Sequence, residues 1–437
     1  MTAGTLQGMA TIPQLNDDVL NVILHTPGMR GRKGLPTILW GGPGTAKTQK
    51  VEDFTRRHAL LCKSLSPAEG EAAYGITPAV REIALAQIKK YGLEKMVESG
   101  ALTNLCIGSP PPEWALPFLS GVAEGTLFFD DISWSPPIIQ AAQLNALTHG
   151  RIAGHTLGKG IRCVGAANPI DGGGGFSLSP ALANRALHLW VNLETRELVE
   201  HILNGMDKFE EDAVDPESSG VDSIRRALSR WDRAFADSRA LFAAFLKKHP
   251  NIVRQPSSDS EAAGRAWPSG RTVELAIRAW AGCAVFGVPD LQLPFVAGAC
   301  GDGFAQSFVQ YSREADLPDV YAILNGDAGA SWIPVRNRVD VAHVVLSTAA
   351  SLSCDEKDRK KQSMYSAKTW ELINTALDAQ VPTDCIFGAA KKMVKKRLFV
   401  PQSQRPLTAL RPLFVAAKVI VPKDSEGPSS SSGVAGL

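Results

Sequence analysis

Leu35-Pro36-Thr37-Ile38-Leu39-Trp40-Gly41-Gly42-Pro43-Gly44-Thr45-Ala46-Lys47-Thr48 decides how this chain is read. An apolar run, Pro36 to Trp40, leads into a glycine-rich turn and then a Lys-Thr pair. The order predicts a strand, a tight loop and the first turn of a helix. The phosphate-loop pattern is G-x-x-x-x-G-K-[ST], and every fixed position but one is met, Ala46 standing at the second glycine. Small residues let backbone N–H groups turn inward around phosphate oxygens, and the helix N-terminus adds positive potential. The candidate phosphate-binding set is therefore Gly41, Gly42, Pro43, Gly44, Thr45, Ala46, Lys47 and Thr48. Lys47 would neutralise the outer phosphates and the Thr48 hydroxyl would hold Mg2+. The alternative is a plain glycine turn with an exposed lysine.

A second stretch, Gly125-Thr126-Leu127-Phe128-Phe129-Asp130-Asp131, reads as a buried strand ending in two acids. Asp130 can hold magnesium and Asp131 can polarise a water; alone, the stretch could equally be a strand ending in a surface turn. Ser135 is the expected cap of a helix with Pro136 and Pro137 in its first turn, running to about Thr148 with Ile139, Ala142, Ala146 and Leu147 inward. Arg151–Ile161 reads as a glycine-tipped hairpin, and Arg162–Ala167 as another buried strand, ending at Asn168. Asn168 would emerge on the same carboxyl edge as the phosphate loop and the acids, where parallel sheets bind ligands. Asn168 could also be only a strand-end turn residue.

At 437 residues, with 44% hydrophobic and 21% charged side chains, the chain suits a globular protein of two or three domains. A net charge of +2 argues against a nucleic-acid coat or membrane-surface binder, leaving room for a local basic patch. Seven scattered cysteines, with no C-x-x-C pair, suit buried free thiols in a reducing compartment. No apolar run approaches the ~18–20 residues of a membrane span, and the start lacks a secretory pattern, so a cytoplasmic protein is expected.

The expected organisation is an N-terminal segment, 1–34, with a flexible start, one helix and a mobile basic loop at Met29–Gly34. A nucleotide-binding α/β core follows over 35–204, with a short buried strand at Leu60–Cys62 and an insertion at 66–105 whose Pro78–Val97 is helical. Trp114–Val122 is expected to be helical, Asp171–Gly175 a flexible loop, Ser179–Arg185 a short helix and Leu187–Leu193 a strand. Glu194–Leu203 resumes as helix. Then come a linker at 205–265 with a helix over Ile224–Lys248 between polar loops, a helical region at 266–325, which the resemblance below implies is a lid, a helical extension at 326–422 and a disordered tail at 423–437. Helices are expected at Ser269–Ala281, Leu293–Arg313, Leu317–Ile323 and Val339–Leu352, with two more near Ala367–Leu377 and Thr383–Lys392. The Lys391–Arg397 basic cluster reads as a solvated helix end, with contact to nucleic acid or an acidic partner as its alternative.

Taken in order, GGPGTAKT, TLFFDDISWSPPIIQAAQLNALTHGRI, VGAANP, SPALANR and WPSGRTVELAIRAWA together resemble an AAA+ ATPase of the MoxR branch, whose relatives include RavA-type proteins and magnesium-chelatase ATPase subunits. The resemblance spans about 35–200 and 266–325, and the branch commonly accepts Ala where Ala46 sits. It implies a P-loop core with a parallel sheet, a helical lid, ATP and Mg2+ as ligands, and a homo-oligomeric, hexameric ring. It implies Lys47 and Thr48 as phosphate and metal contacts and Asp130 as the magnesium acid. Asp131 stands where a catalytic glutamate is usual, shorter by one methylene, so water must be reached differently. Asn168 matches the water-positioning sensor 1. Arg185 matches an arginine finger for the neighbouring subunit, and Arg271 matches sensor 2, contacting its own subunit's phosphate. As bare residues, Arg185 could form a surface salt bridge and Arg271 could pack on its stem at a helix start.

Three functions follow as expectations. The first is an ATP-driven chaperone maturing a protein client, with a von Willebrand A domain partner implied by the resemblance. The second is a nucleotide-latched assembly module that hydrolyses little. The third is a nucleic-acid motor, which the near-neutral charge disfavours.

Overall fold

The computed structural model describes residues 10–12, 14–74, 111–152, 154–169, 177–192, 199, 203, 221–253, 264–314, 317–336 and 338–419. It divides into two compact units, Met1–Ser238 with Asn251–Tyr311, and Arg239–Pro250 with Ser312–Leu437. The expected lid boundary at 325/326 thus falls inside the second unit. The expected features at 78–97, 171–175, 205–220 and 423–437 lie outside the described residues, as does nearly all of Glu194–Leu203.

The first unit is built on a six-stranded parallel sheet. Its strands are β1 (Ala10–Ile12), β2 (Thr37–Trp40), β3 (Leu61–Leu65), β4 (Glu124–Phe129), β7 (Gly160–Ala167) and β8 (Leu187–Val191), in spatial order β1-β8-β2-β7-β4-β3. The remaining strands, β5 (Arg151–Ile152) and β6 (His155–Thr156), form the expected separate antiparallel hairpin. Every residue of β2 and β7 is buried, as strands covered on both faces require. Strand β2 pairs with β7 on one side, Thr37 opposite Val164, and with β8 on the other, Thr37 opposite Leu187. The chain leaves β2 for the far edge at β3, returns through β4 and β7, then crosses β2 to reach β8. That reversal beside β2 is the switch point outside which open α/β sheets bind ligands.

Several expectations are corrected here. The start of the chain is not merely flexible, because Ala10–Ile12 joins β8 as a parallel edge strand. Leu61 and Cys62 are exposed, because β3 is the opposite edge; Cys62 is therefore an exposed free thiol, unlike the other described cysteines. The stretch after Pro112 is a 3-10 helix over Glu113–Leu119, ending before Val122.

Helices α1 (Asp17–His25), α2 (Lys47–Arg57), α3 (Pro137–His149) and α4 (Pro180–Ala183) belong to this unit. Pro136, not Ser135, is the cap of α3; the Ser135 hydroxyl instead accepts a bond from Gln143 Nε2 at 2.8 Å. The expected single helix over 224–248 is two, α5 (Val221–Leu228) and α6 (Trp231–Lys248). Beyond it, α7 (Gly270–Phe286) begins at Ser269, whose hydroxyl caps Thr272 in a reciprocal capping box. The expected 293–313 helix breaks at Gly301, φ 85°, into α8 (Gln292–Cys300) and α9 (Asp302–Glu314). Helix α8 lies against β8 so closely that a Cβ on Gly298 would sit 2.7 Å from the His188 carbonyl oxygen.

The second unit is helical: α10 (Val320–Asn325), α11 (Val339–Asp355), α12 (Arg359–Asp378), α13 (Thr383–Lys395) and two unforeseen short helices, α14 (Gln404–Ala409) and α15 (Arg411–Ala416). Its core gathers Leu346, Tyr365, Trp370, Ile386, Met393 and Phe414. The basic stretch ends α13 with Met393 buried inside and Lys392 bonded to Ser351 at 2.8 Å. Among the described residues no helix is long and apolar enough to cross a membrane.

Candidate functional site

The site forms where β2, β4 and β7 end. Trp40, last residue of β2, donates its indole N–H to buried His188 Nδ1 at 3.0 Å, and Gly41 N–H bonds the Ala167 carbonyl at 3.2 Å. These contacts fix where the loop leaves the sheet. A side chain at Gly41 would lie 2.8 Å from the Val191 carbonyl oxygen, so only glycine lets the loop pass. Further on, Gly44 at φ 77° and Ala46 at φ 55° both take left-handed conformations. The expected second glycine is thus a real conformational demand, which Ala46 meets under strain of about 1–2 kcal/mol.

Helix α2 opens directly after Ala46 and presents Lys47 and Thr48. Lys47 is 7% exposed. Its Nζ donates to the carbonyls of Gly41 (2.9 Å) and Gly42 (3.0 Å), to Thr45 Oγ1 (3.0 Å) and to Asn168 Oδ1 (3.2 Å). Burial pulls its pKa below the ordinary lysine value, with Asp130 and Asp131 opposing that shift. Thr48 Oγ1 donates to Asp130 Oδ2 at 3.0 Å.

The acids follow β4 as expected. Asp131 turns into the left-handed region, φ 48°, and its N–H bonds Asp130 Oδ1 at 3.0 Å. The turn separates the two carboxylates, leaving one for Thr48 and the other for Asn168. Asn168 Nδ2 donates to Asp131 Oδ1 at 2.7 Å while its backbone N–H is held by Ser133 Oγ at 3.1 Å. Asn168 thereby bridges Lys47 to Asp131. Burial, then the neighbouring Asp130 charge, raises the Asp131 pKa, and Lys47 partly offsets this.

The oxygen donors fit a small hard cation. One hydroxyl and one carboxylate, Thr48 and Asp130, share a 3.0 Å hydrogen bond. Among the described residues no three His, Cys, Asp or Glu side chains gather as a metal cage.

The two arginines lie elsewhere. Arg185 and Arg271 line one crease with Gly34 and Pro36, which precede β2, and with Ile161 and Cys163 from the first half of β7. This is the amino edge of the sheet; β2 alone is four residues long, about 13 Å at ~3.3 Å per residue. Arg271 therefore stands beside Arg185 and not beside Lys47, contrary to the cis placement that the resemblance implied. The cause is local: Ser269 Oγ bonds Asn184 Oδ1 at 2.8 Å, pinning the start of α7 to the end of α4. Burial, then the Arg271 charge, lowers the Arg185 pKa.

Sequence reasoning missed three supporting groups. Ser133 holds the Asn168 backbone, His188 backs Trp40, and Arg30 lines the same crease as the two arginines. The available signal for Arg30 was Pro27-Gly28 closing upon Gly34 around a basic run. The loop is pinned rather than mobile: Pro27 and Lys33 form an antiparallel bridge, and Gly34 N–H bonds the Thr26 carbonyl at 2.9 Å.

Compared with known proteins, the chain matches no family model and no curated protein.

Proposed function

We propose that this protein is a MoxR-like AAA+ ATPase, a ring-forming motor that spends ATP on remodelling or maturing a protein client. The observation that carries it is the hydrogen-bonded run from Lys47 through Asn168 to Asp131, with Thr48 on Asp130 alongside, at the switch point of a parallel sheet.

Phosphoryl transfer needs cations aimed at the γ-phosphate, a metal and a positioned water. Thr48 and Asp130 would hold Mg2+, which would supply charge that neutralises the phosphate oxygens. Lys47 would leave the Gly41 and Gly42 carbonyls for phosphate oxygens. Asp131 would orient water and accept its proton as the P–O bond forms and ADP departs. Asn168 holds Asp131 in place. Arg185 and Arg271, at the other edge, would meet a nucleotide held by a neighbouring copy, and head-to-tail contacts of that kind close into rings.

The test is ATP turnover against protein concentration for wild type, Asp131→Asn and Arg185→Ala. Turnover per protomer should rise with assembly. It should fall at least about 100-fold in Asp131→Asn with ATP binding retained, and about 10³-fold in Arg185→Ala. Tight ATP binding without turnover at any concentration would overturn the motor and leave the nucleotide latch. A trapped Asp131→Asn ring with ATP is the form from which a client and a von Willebrand A domain partner could be identified.

A further inference from the structure

The loop before β2 is built to present one side chain. Gly28 N–H bonds the Arg32 carbonyl at 2.8 Å, Arg32 N–H bonds the Met29 carbonyl at 3.1 Å, and Lys33 N–H bonds the Lys159 carbonyl at 2.9 Å. Arg30 occupies the tip in a left-handed conformation, φ 56° and ψ 29°, which a non-glycine residue adopts at a cost. Its Nη1 donates to His149 Nδ1 at 2.8 Å, so the imidazole sits there as an acceptor. Slight desolvation, then the charges of Arg30, Arg185, Arg151 and Arg271, depress the His149 pKa.

Among the described residues, no carboxylate lines the crease that Arg30 shares with Arg185 and Arg271. Lys33 on its margin is already paired with Glu124 at 2.6 Å. Two buried polar atoms there, Arg185 Nε and Thr148 Oγ1, have no hydrogen-bond partner. Converging arginines with an orphaned guanidinium N–H and an orphaned hydroxyl are recognition chemistry for a multiply charged oxyanion. The fixed loop means that the third cation is preorganised before any anion arrives.

We propose that Arg30, held by His149, is a third phosphate-contacting cation that joins Arg185 and Arg271 on the terminal phosphates of a nucleotide bound by a neighbouring copy of this chain. This rests on the ATPase reading above. Arg30 contacts the phosphate, and His149 is its positioning residue.

The test is complementation between mixed protomers. Arg30→Ala protomers keep Lys47 and hold nucleotide but donate no third cation; Lys47→Ala protomers hold no nucleotide but still donate Arg30. Each alone should turn over ATP at least about tenfold slower than wild type, and mixing them should restore turnover well above the sum of the two. Rescue requires a folded Arg30→Ala protomer, and Arg30→Lys, which keeps the charge without the fork, should fall between wild type and Arg30→Ala. Wild-type-like turnover by Arg30→Ala, or a mixture no better than its parts while wild type is active, overturns the proposal and leaves the ATPase reading standing. Absent turnover by wild type at every concentration sinks the reading and the proposal with it. Loss of single-stranded DNA binding at physiological salt, with turnover unchanged, would assign the cluster to a nucleic-acid backbone and also overturn it.

Discussion

Gly150→Ala should cost far more than the backbone conformation of this buried helix-ending glycine suggests. Gly150 closes α3 at φ 57° and ψ 46°, and its N–H bonds the carbonyls of Ala146 and Asn145. A left-handed alanine costs about 1–2 kcal/mol, reduced by the ~0.4–1 kcal/mol gained from stiffening the unfolded chain. The larger effect is steric. An added methyl would fall inside the Arg32 guanidinium. Arg32 spans the neighbouring segment, its Nη2 donating to the Ile161 carbonyl at 3.0 Å and its Nη1 to the Leu157 carbonyl at 3.4 Å. Expelling it forfeits about 1.5–3 kcal/mol for the stronger, charge-assisted bond, giving roughly 2–4 kcal/mol in all. Gly154→Ala is the control: Gly154 also has positive φ, 81°, but its Cβ would meet nothing within 4 Å, so only the backbone cost of about 1 kcal/mol applies. Urea unfolding of Gly150→Ala, Arg32→Ala and the double variant measures the coupling. With Arg32 removed, Gly150→Ala should fall to the cost of Gly154→Ala. A Gly150→Ala penalty that does not depend on Arg32 would refute the steric account.

Two further outcomes are expected. His188 has its pKa pushed down by burial to about 4 from 6.5, so the unfolded chain takes up the proton first: stability is full above pH ~6.5 and is lost as pH falls toward 4, at up to about 1.4 kcal/mol per pH unit. In His188→Gln, whose amide oxygen can still accept from Trp40, urea unfolding between pH 7 and 4.5 should show a correspondingly shallower slope; parallel curves for the two proteins would exclude His188 as the cause. Ala46→Gly should stabilise the first unit by about 0.5 kcal/mol in thermal melts, since relief of the left-handed alanine slightly outweighs glycine's entropy, and should leave ATP binding intact. A loss of stability would mean that φ 55° is no burden at that position.

The carboxyl edge was legible because its chemistry is written in contiguous runs. A strand, a glycine turn and Lys47-Thr48 arrive within fourteen residues, and β4 hands over directly to Asp130-Asp131. Parallel pairing of buried strands then brings Asn168, at the end of β7, onto the same edge, so pattern and geometry agree. The amino edge follows no such rule. Arg30, His149, Arg185 and Arg271 come from four segments spread over more than half the chain, and what unites them is a set of side-chain and backbone bonds that periodicity does not encode. Ser269 to Asn184 moves Arg271 away from the phosphate loop. The pinned Pro27–Gly34 loop turns what composition reads as a mobile basic run into a fixed cation. Helix breaks escaped for the same kind of reason. Gly301 within an apolar helical pattern is tolerable by propensity alone, and only its φ of 85° shows that the chain turns there. The loop, which composition reads as mobile, and Arg271, which the resemblance puts on its own subunit's phosphate, are the elements that the proposed function assigns to a neighbouring copy. A residue meant for a neighbouring copy has no partner within its own chain, so its local sequence carries no complementary charge to announce it. Arg185 fits that logic: among the described residues its Nη1 bonds the Ala181 carbonyl, its Nε is buried without a partner, and the cation beside it is another arginine. An arginine pair of this kind raises the folding cost of the isolated protomer. An anion supplied from outside would recover that cost, as the nucleotide of a neighbouring copy would if the proposed function holds.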